Sequence, residues 1–539
     1  MTKKFLILFG CMVILWMCMI NISYAKPILP PEEALPASIM PVIILKGSYY
    51  DMGYQYGQQA GEGIAARKNL WWARGIQNFK TKDGAIREAK AYESQIKKFA
   101  PEAIEIMKGM ADGATAAGYN LTYMDALLLN IAKALRLREG AAYPPDAGCG
   151  HIHAWGTTSK DGKLICTDNR DEEFTPQVAL VYLPDQGNAF ITAADAGQVA
   201  CHPVMNNKGL FVGASSGSAR KEDRAKYGVP RPIALAHLAF TFNNAIEAKD
   251  WLVAHSTNWS GGINYSMSDV KGNAFALETT PVSAYVRKPG DFGEVNFIFA
   301  TNNAWIKEAR KAGDDFGDNA EPRNEQVFNF LRNYQGKIDL EFLKMMYRNP
   351  GTPGLGNHTN NRVVIAIPDD GNKGLAYICT GSANRNPTIY YPLIEAWSIA
   401  LPINPTYSFF EIALAESPIK IVVAAQKTAE KYLIHTMVEL NKRNYSNPEY
   451  APLAKIFAQA KSEYFRGTNA WANAQSTTGK ELLYYCSRAA TGFTRSQALA
   501  RQVYEELVPK ARATTPEELG YDRPKKFIRF SRPPHETTW

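Results

Sequence analysis

The chain has 539 residues, a formal net charge of +8 and a pI near 8.9. That length exceeds one ordinary core, so two or three packed units are expected, and 46% hydrophobic with 21% charged residues excludes a disordered chain. Lysines and arginines are scattered with no basic-aromatic stripe, which argues against a nucleic-acid partner.

Lys3-Lys4 precede an almost wholly apolar run over 5–20, and Ser23-Tyr24-Ala25 ends in a small-x-small pattern. Residues 1–25 therefore read as an export signal cut after Ala25, in preference to an uncleaved anchor. The expected location is periplasmic or extracellular, with no stable membrane span after signal removal. Cleavage removes Cys11 and Cys18 and leaves Cys149, Cys166, Cys201, Cys379 and Cys486. An odd count leaves at least one thiol unpaired, and the wide spacings fit no zinc pattern.

A Pro-rich stretch over 26–45 reads as a loosely ordered arm. Helical periodicity begins near Gly53-Tyr-Gln-Tyr-Gly57 and covers about 59–80, 84–98, 101–117 and 122–137. Residues 26–148 thus form a mainly helical segment, ended by the breaker Tyr143-Pro-Pro-Asp146-Ala-Gly148. From Cys149 to about 400 strand patterns dominate: 151–158, 163–168, 177–184, 188–194, 209–214, 263–268, 273–278, 283–287, 296–301, 362–367 and 374–379. Gly-containing turns between several of them suit antiparallel sheets. Helices are expected near 230–254 and 321–346, then again through a helical extension over 401–510, including 411–414, 419–440 and 451–464. A basic tail over 511–539 closes the chain.

The most informative position is Gly148-Cys149. A small, permissive joint precedes a strand-like run, His151 to Thr157, and one hairpin later comes Asp168-Asn169-Arg170-Asp171. If the Gly148-Cys149 bond is cut, Cys149 carries both a thiol and a free α-amine. Such an amine has an unperturbed pKa of about 7.7–8.0, suited to a general base near neutrality. One residue then supplies nucleophile and base, and a carboxylate or amide at Asp171 or Asn169 can aim the amine.

These residues, with their order and spacing, resemble the acyl-CoA:6-aminopenicillanic acid acyltransferase-like family, the C45 autoproteolytic peptidases among the N-terminal nucleophile (Ntn) hydrolases. The resemblance covers roughly 45–385. It rests on Gly47 to Gly57, Met110-Ala-Asp-Gly113-Ala, Asp125 to Asn130, Gly148-Cys149, Trp155-Gly156, Asp161-Gly162-Lys163, Asn169-Arg-Asp171, Val204 to Leu210 and Ala300-Thr301-Asn302. The resemblance implies an α+β fold, a four-layer αββα Ntn sandwich with antiparallel sheets over 149–400. A helical pro-region precedes the nucleophile and a helical C-terminal extension follows. It implies a catalytic set of Cys149 as nucleophile, Asp171 orienting the new amine and Asn302 stabilising the oxyanion, with autocleavage between Gly148 and Cys149. The substrate would be a small acylated molecule whose linear amide bond is hydrolysed, or its acyl group transferred, through a Cys149 thioester. The two cleavage fragments would stay associated, and no metal or organic cofactor would be needed. Asp168 stands where the bile-salt-hydrolase branch has Arg, which argues against a bile-salt-like anionic substrate. Asn303 stands where the family has His.

His151 and His153 share one strand face and could hold a metal, but no third ligand is apparent nearby. A papain-like triad would draw its base from His237, His255 or His358, yet such a cysteine should open a helix. Two other functions remain open at this stage: a lipid amidase or phospholipase B-like hydrolase on the same fold, and a non-catalytic exported binding protein on a degenerate hydrolase scaffold.

Overall fold

The structure is a computed structural model that describes residues 39–138, 148–171, 175–217, 227–255, 262–280, 283–306, 308–309, 320–349, 360–381, 383, 408–443 and 447–525. The expected export signal, the breaker before Gly148, His358 and the end of the basic tail lie outside these residues.

Alternation along the strands builds the layers. The first sheet has eight strands in the order β1 (Val42–Gly47), β4 (Gln177–Pro184), β5 (Phe190–Asp195), β6 (Val204–Asn206), β7 (Leu210–Ser216), β8 (Ile263–Asp269), β9 (Ala274–Thr279), β10 (Ala284–Arg287). The second has six: β11 (Phe297–Ala300), β2 (Gly150–Ala154), β3 (Ile165–Asp171), β12 (Asn360–Ile367), β13 (Leu375–Thr380), β14 (Phe410–Ala413). Every pairing is antiparallel except β1 with β4. On β4, Val178, Leu180 and Tyr182 face one core, while Ala179, Val181 and Leu183 face another. On β12, Val364 and Ala366 join that second core from the opposite sheet, and Val363 and Ile365 face a third. The second core therefore lies between the sheets.

The outer cores are roofed by helices. Against the eight-stranded sheet pack α1 (Tyr49–Phe79), α2 (Lys82–Phe99), α3 (Pro101–Ala116), α4 (Tyr123–Arg138), α5 (Arg231–Thr241) and α6 (Ala245–Ala254). Against the six-stranded sheet pack α7 (Ala320–Asn333) and α8 (Leu340–Arg348). The result is the four-layer αββα sandwich that the resemblance implies. The early glycines explain the tight α1–α3 contact. A Cβ added at Gly53 or Gly57 would lie 2.1 or 2.0 Å from the Ile106 or Met110 carbonyl. At Gly109 or Gly113 it would strike the Tyr50 or Tyr54 carbonyl at 2.1 or 2.0 Å.

The extension, α9 (Pro418–Lys442), α10 (Ala451–Gln475) and α11 (Gly479–Leu507), packs into the core between the sheets. Helix α11 also covers two sheet edges. The outer N–H of Val42 donates to Thr491 Oγ1 at 3.0 Å and that of Ile44 to Ser487 Oγ at 2.9 Å. Gln55 of α1 accepts the next, from Lys46, at 2.9 Å. On the other sheet, Gln497 Oε1 accepts the Glu411 N–H at 2.9 Å. Side chains thus satisfy edge groups that would otherwise face solvent or another strand.

Four expectations are corrected. The arm over 26–45 includes β1 at its end, because Val42 to Leu45 are buried on both faces between cores. The helix over 230–254 is two, since Asn244 caps α6 by accepting the Glu247 N–H. The helix over 321–346 is likewise two, with Asp339 capping α8. Residues 411–414 form most of a strand, β14, paired with β13.

Candidate active site

The β2–β3 hairpin builds the centre. Its register pairs Gly150 with Asn169, so two residues further along Asp171 comes to lie by Gly148. Asp171 Oδ2 accepts the Gly148 N–H at 3.1 Å. Asn169 Nδ2 donates to the Gly148 carbonyl at 3.3 Å and to Asp171 Oδ1 at 2.9 Å. Cys149 is buried at the same point. The Asn-x-Asp pair therefore holds Gly148 at both its N–H and its carbonyl, and the carbonyl is that of the Gly148-Cys149 peptide.

Two further segments reach this point. Asn302 follows β11, and the turn it sits on is pinned by the facing sheet: Ser215 Oγ and Asn264 Nδ2 donate to the Thr301 carbonyl at 2.6 and 2.8 Å. Asn302 Nδ2 donates to the Ser216 carbonyl at 2.8 Å. Among the described residues the side-chain donor on the Gly148 carbonyl is Asn169, and Asn302 meets the site through Arg323. Arg323, in the first turn of α7, donates from Nη2 to Asn302 Oδ1 at 3.1 Å and from Nη1 to the Cys149 carbonyl at 3.5 Å. Burial lowers its pKa, while the neighbouring Asp171 and Cys149 oppose that shift. Sequence reasoning missed Arg323, which lies 174 positions from Cys149 in no recognisable motif.

Asp168 turns the other way, between the sheets. It binds His202 Nδ1 at 2.6 Å and accepts the Ala214 N–H at 3.1 Å, and burial raises its pKa well above the carboxylate range. Arg170 also turns inward, to Asp195 at 2.6 Å.

The two strand histidines face the serines of β8. His153 binds Ser268 Oγ at 2.5 Å and Ser266 Oγ at 2.7 Å, and His151 binds Ser266 and Ser215. Burial holds His153 down at about 3 and His151 well below its usual value, so both rings are neutral. Among the described residues no group of three or more His, Cys, Asp or Glu is placed to hold a metal. His237 binds Glu102 at 2.7 Å and His255 binds the Trp251 carbonyl at 2.8 Å, both in the outer helical layer. The five cysteines from Cys149 onward are buried thiols, and among the described residues no helix is long and apolar enough to cross a membrane.

Comparison with known proteins follows this geometry. Residues 157–377 match the family model described as acyl-coenzyme A:6-aminopenicillanic acid acyl-transferase. That span includes Asp171, Asn302 and Arg323 and begins after Cys149. A curated Archaeoglobus fulgidus protein, described as uncharacterized, is 27% identical over 191 residues, and the match spans 31% of each chain. Penicillin V acylase from Agrobacterium tumefaciens superposes with a TM-score of 0.28 at 12% identity, covering 43% of this chain and 83% of that one. A variant of conjugated bile acid hydrolase from Clostridium perfringens gives 0.30 at 14%, covering 50% and 98%. The Caenorhabditis elegans ortholog of N-acylethanolamine-hydrolyzing acid amidase gives 0.33 at 12%, covering 41% and 93%. Over residues 157–377, this chain is similar to the acyl-coenzyme A:6-aminopenicillanic acid acyl-transferase family.

Proposed function

We propose that this protein is an exported, self-processing cysteine Ntn hydrolase that cleaves linear amide bonds of small acylated molecules. The observation that carries this reading is the Asn169 amide donating to the Gly148 carbonyl, beside Cys149. A donor already aimed at a carbonyl stabilises the oxyanion formed when that carbonyl is attacked, and losing one typically costs about 10²–10³ in rate.

In processing, Cys149 Sγ attacks the Gly148 carbonyl carbon. The C–N bond breaks, the Cys149 nitrogen leaves as an amine with the thiol proton, and a thioester remains. Water hydrolyses it, giving a Gly148 carboxylate and a free thiol. In turnover the new α-amine takes the thiol proton and the thiolate attacks the substrate carbonyl. The substrate's amine departs with that proton. Water, or a second amine, then releases the acyl group. Asp171 aims the α-amine, and Arg323 offsets the negative charge that develops on sulfur and oxygen.

N-terminal sequencing and intact mass of the purified protein, beside a Cys149→Ala variant, test this. The expected result is a fragment starting at Cys149 in the natural chain and an uncut Cys149→Ala chain. Processing of the variant at the same bond, or an uncut natural chain that hydrolyses amides, overturns the reading.

A further inference from the structure

Where α8, α9 and α11 meet the segment after α11, the surface opens into a cavity of about 460 Å³. Its walls combine charge with aromatic surface. Lys160, Lys431, Arg501 and Lys510 supply cations, and Tyr432, Tyr504 and Tyr521 supply rings. Three carboxylates also face it, each already engaged. Asp339 pairs with Lys160 at 2.7 Å. Glu341 pairs with Lys344 at 2.6 Å and Arg501 at 3.5 Å. Glu505 pairs with Arg501 at 2.9 Å and Arg348 at 2.8 Å. Lys160, Lys431, Arg501 and Lys510 thus stand against three carboxylates, a surplus of one positive charge, and Lys431 and Lys510 lie at the exposed rim. The Arg501 guanidinium lies 5.0 Å from the Tyr432 ring centroid, and the His435 ring packs 6.1 Å from that of Tyr504.

A concave site with excess positive charge concentrates anions, and ring faces accept a planar apolar body. We propose that this cavity binds a small organic anion, a carboxylate on an aromatic body, with Lys431 and Lys510 meeting the acid and the tyrosines flanking the ring. Most of the wall comes from residues beyond 377, outside the family-matched span. The proposal is independent of the amide-cleaving reading.

Saturation-transfer NMR and calorimetry on the full-length protein test it. Benzoate is the main probe, inorganic phosphate the charge-only probe and benzyl alcohol the ring-only probe. Benzoate should bind saturably and weaken with added salt. Phosphate and benzyl alcohol should each bind at least about tenfold more weakly, the equivalent of about 1.4 kcal/mol. The Lys431→Gln, Lys510→Gln double variant alters only exposed side chains, so circular dichroism should show it folded. It should lose at least about tenfold in benzoate affinity, whereas Cys149→Ala should keep full affinity. Equal binding by the natural chain and the double variant, absence of saturation, loss of binding in Cys149→Ala, or phosphate binding as tightly as benzoate each overturns the proposal.

Discussion

A Cβ added at Gly148 would lie 1.9 Å from Arg323 Nη1, so a side chain before the proposed cut must displace the Arg323 guanidinium. We expect Gly148→Ala to destabilise the precursor by about 1–3 kcal/mol, the usual range for overpacking. Adding Arg323→Ala should restore most of the melting temperature while leaving processing slow, as thermal melts and a time course of fragment release would show. Arg323→Lys keeps the charge but loses the planar fork that reaches both Asn302 and Cys149, and should slow fragment release by about 10²-fold if the fork's hydrogen bonds, not the charge alone, serve the oxyanion. His153 gives a pH signature. Its ring is neutral in the fold with a pKa of about 3, against 6.5 unfolded. Stability from this ring is therefore complete above 6.5 and is lost as pH falls toward 3, by about 1.4 kcal/mol per pH unit. Urea melts of His153→Gln should show a shallower acid decline than the natural chain; identical slopes would refute this. At this scale the sequence carried Cys149, Asn169 and Asp171, because hairpin register links them across a short span. It did not carry Arg323, whose role depends on where α7 docks.

Short elements were hard to read for a physical reason. Val42 to Leu45 lie between two cores, so both faces are apolar and the strand shows no alternation. Phe410–Ala413 is too short to distinguish a period of two from one of 3.6. Longer helices such as α2, α3 and α9 were legible because their apolar stripes repeat over several turns. The hydroxyls of Ser487 and Thr491 give this scale its test. Replacing either with Ala leaves a β1 N–H without its side-chain acceptor, at a cost of about 1–3 kcal/mol each. Chemical denaturation should show the loss; no change would mean that water serves the strand equally well.

Over the whole molecule, the layered architecture was legible because the helical and strand-rich stretches are separated along the chain and the family motifs bridge them. The manner in which the extension closes both sheets was not, since side-chain hydrogen bonds between segments leave no local pattern. The proposed cut would leave β1 and α1–α4 on one fragment, yet β1 remains paired with β4 along Val42–Gly47 and the helices remain packed on the eight-stranded sheet. We expect the fragments to co-elute in size-exclusion chromatography and to part only in denaturant. Separation in native buffer would contradict the interface described. The contact between Ile44 and Ser487 joins positions 443 residues apart. Ribosomal synthesis releases β1 long before α11 exists, so those backbone donors meet only water, or a holding chaperone, until translation is almost finished. A nascent chain stalled in that interval would present an unsealed strand to its neighbours on the polysome, and such polysomes should be prone to clumping.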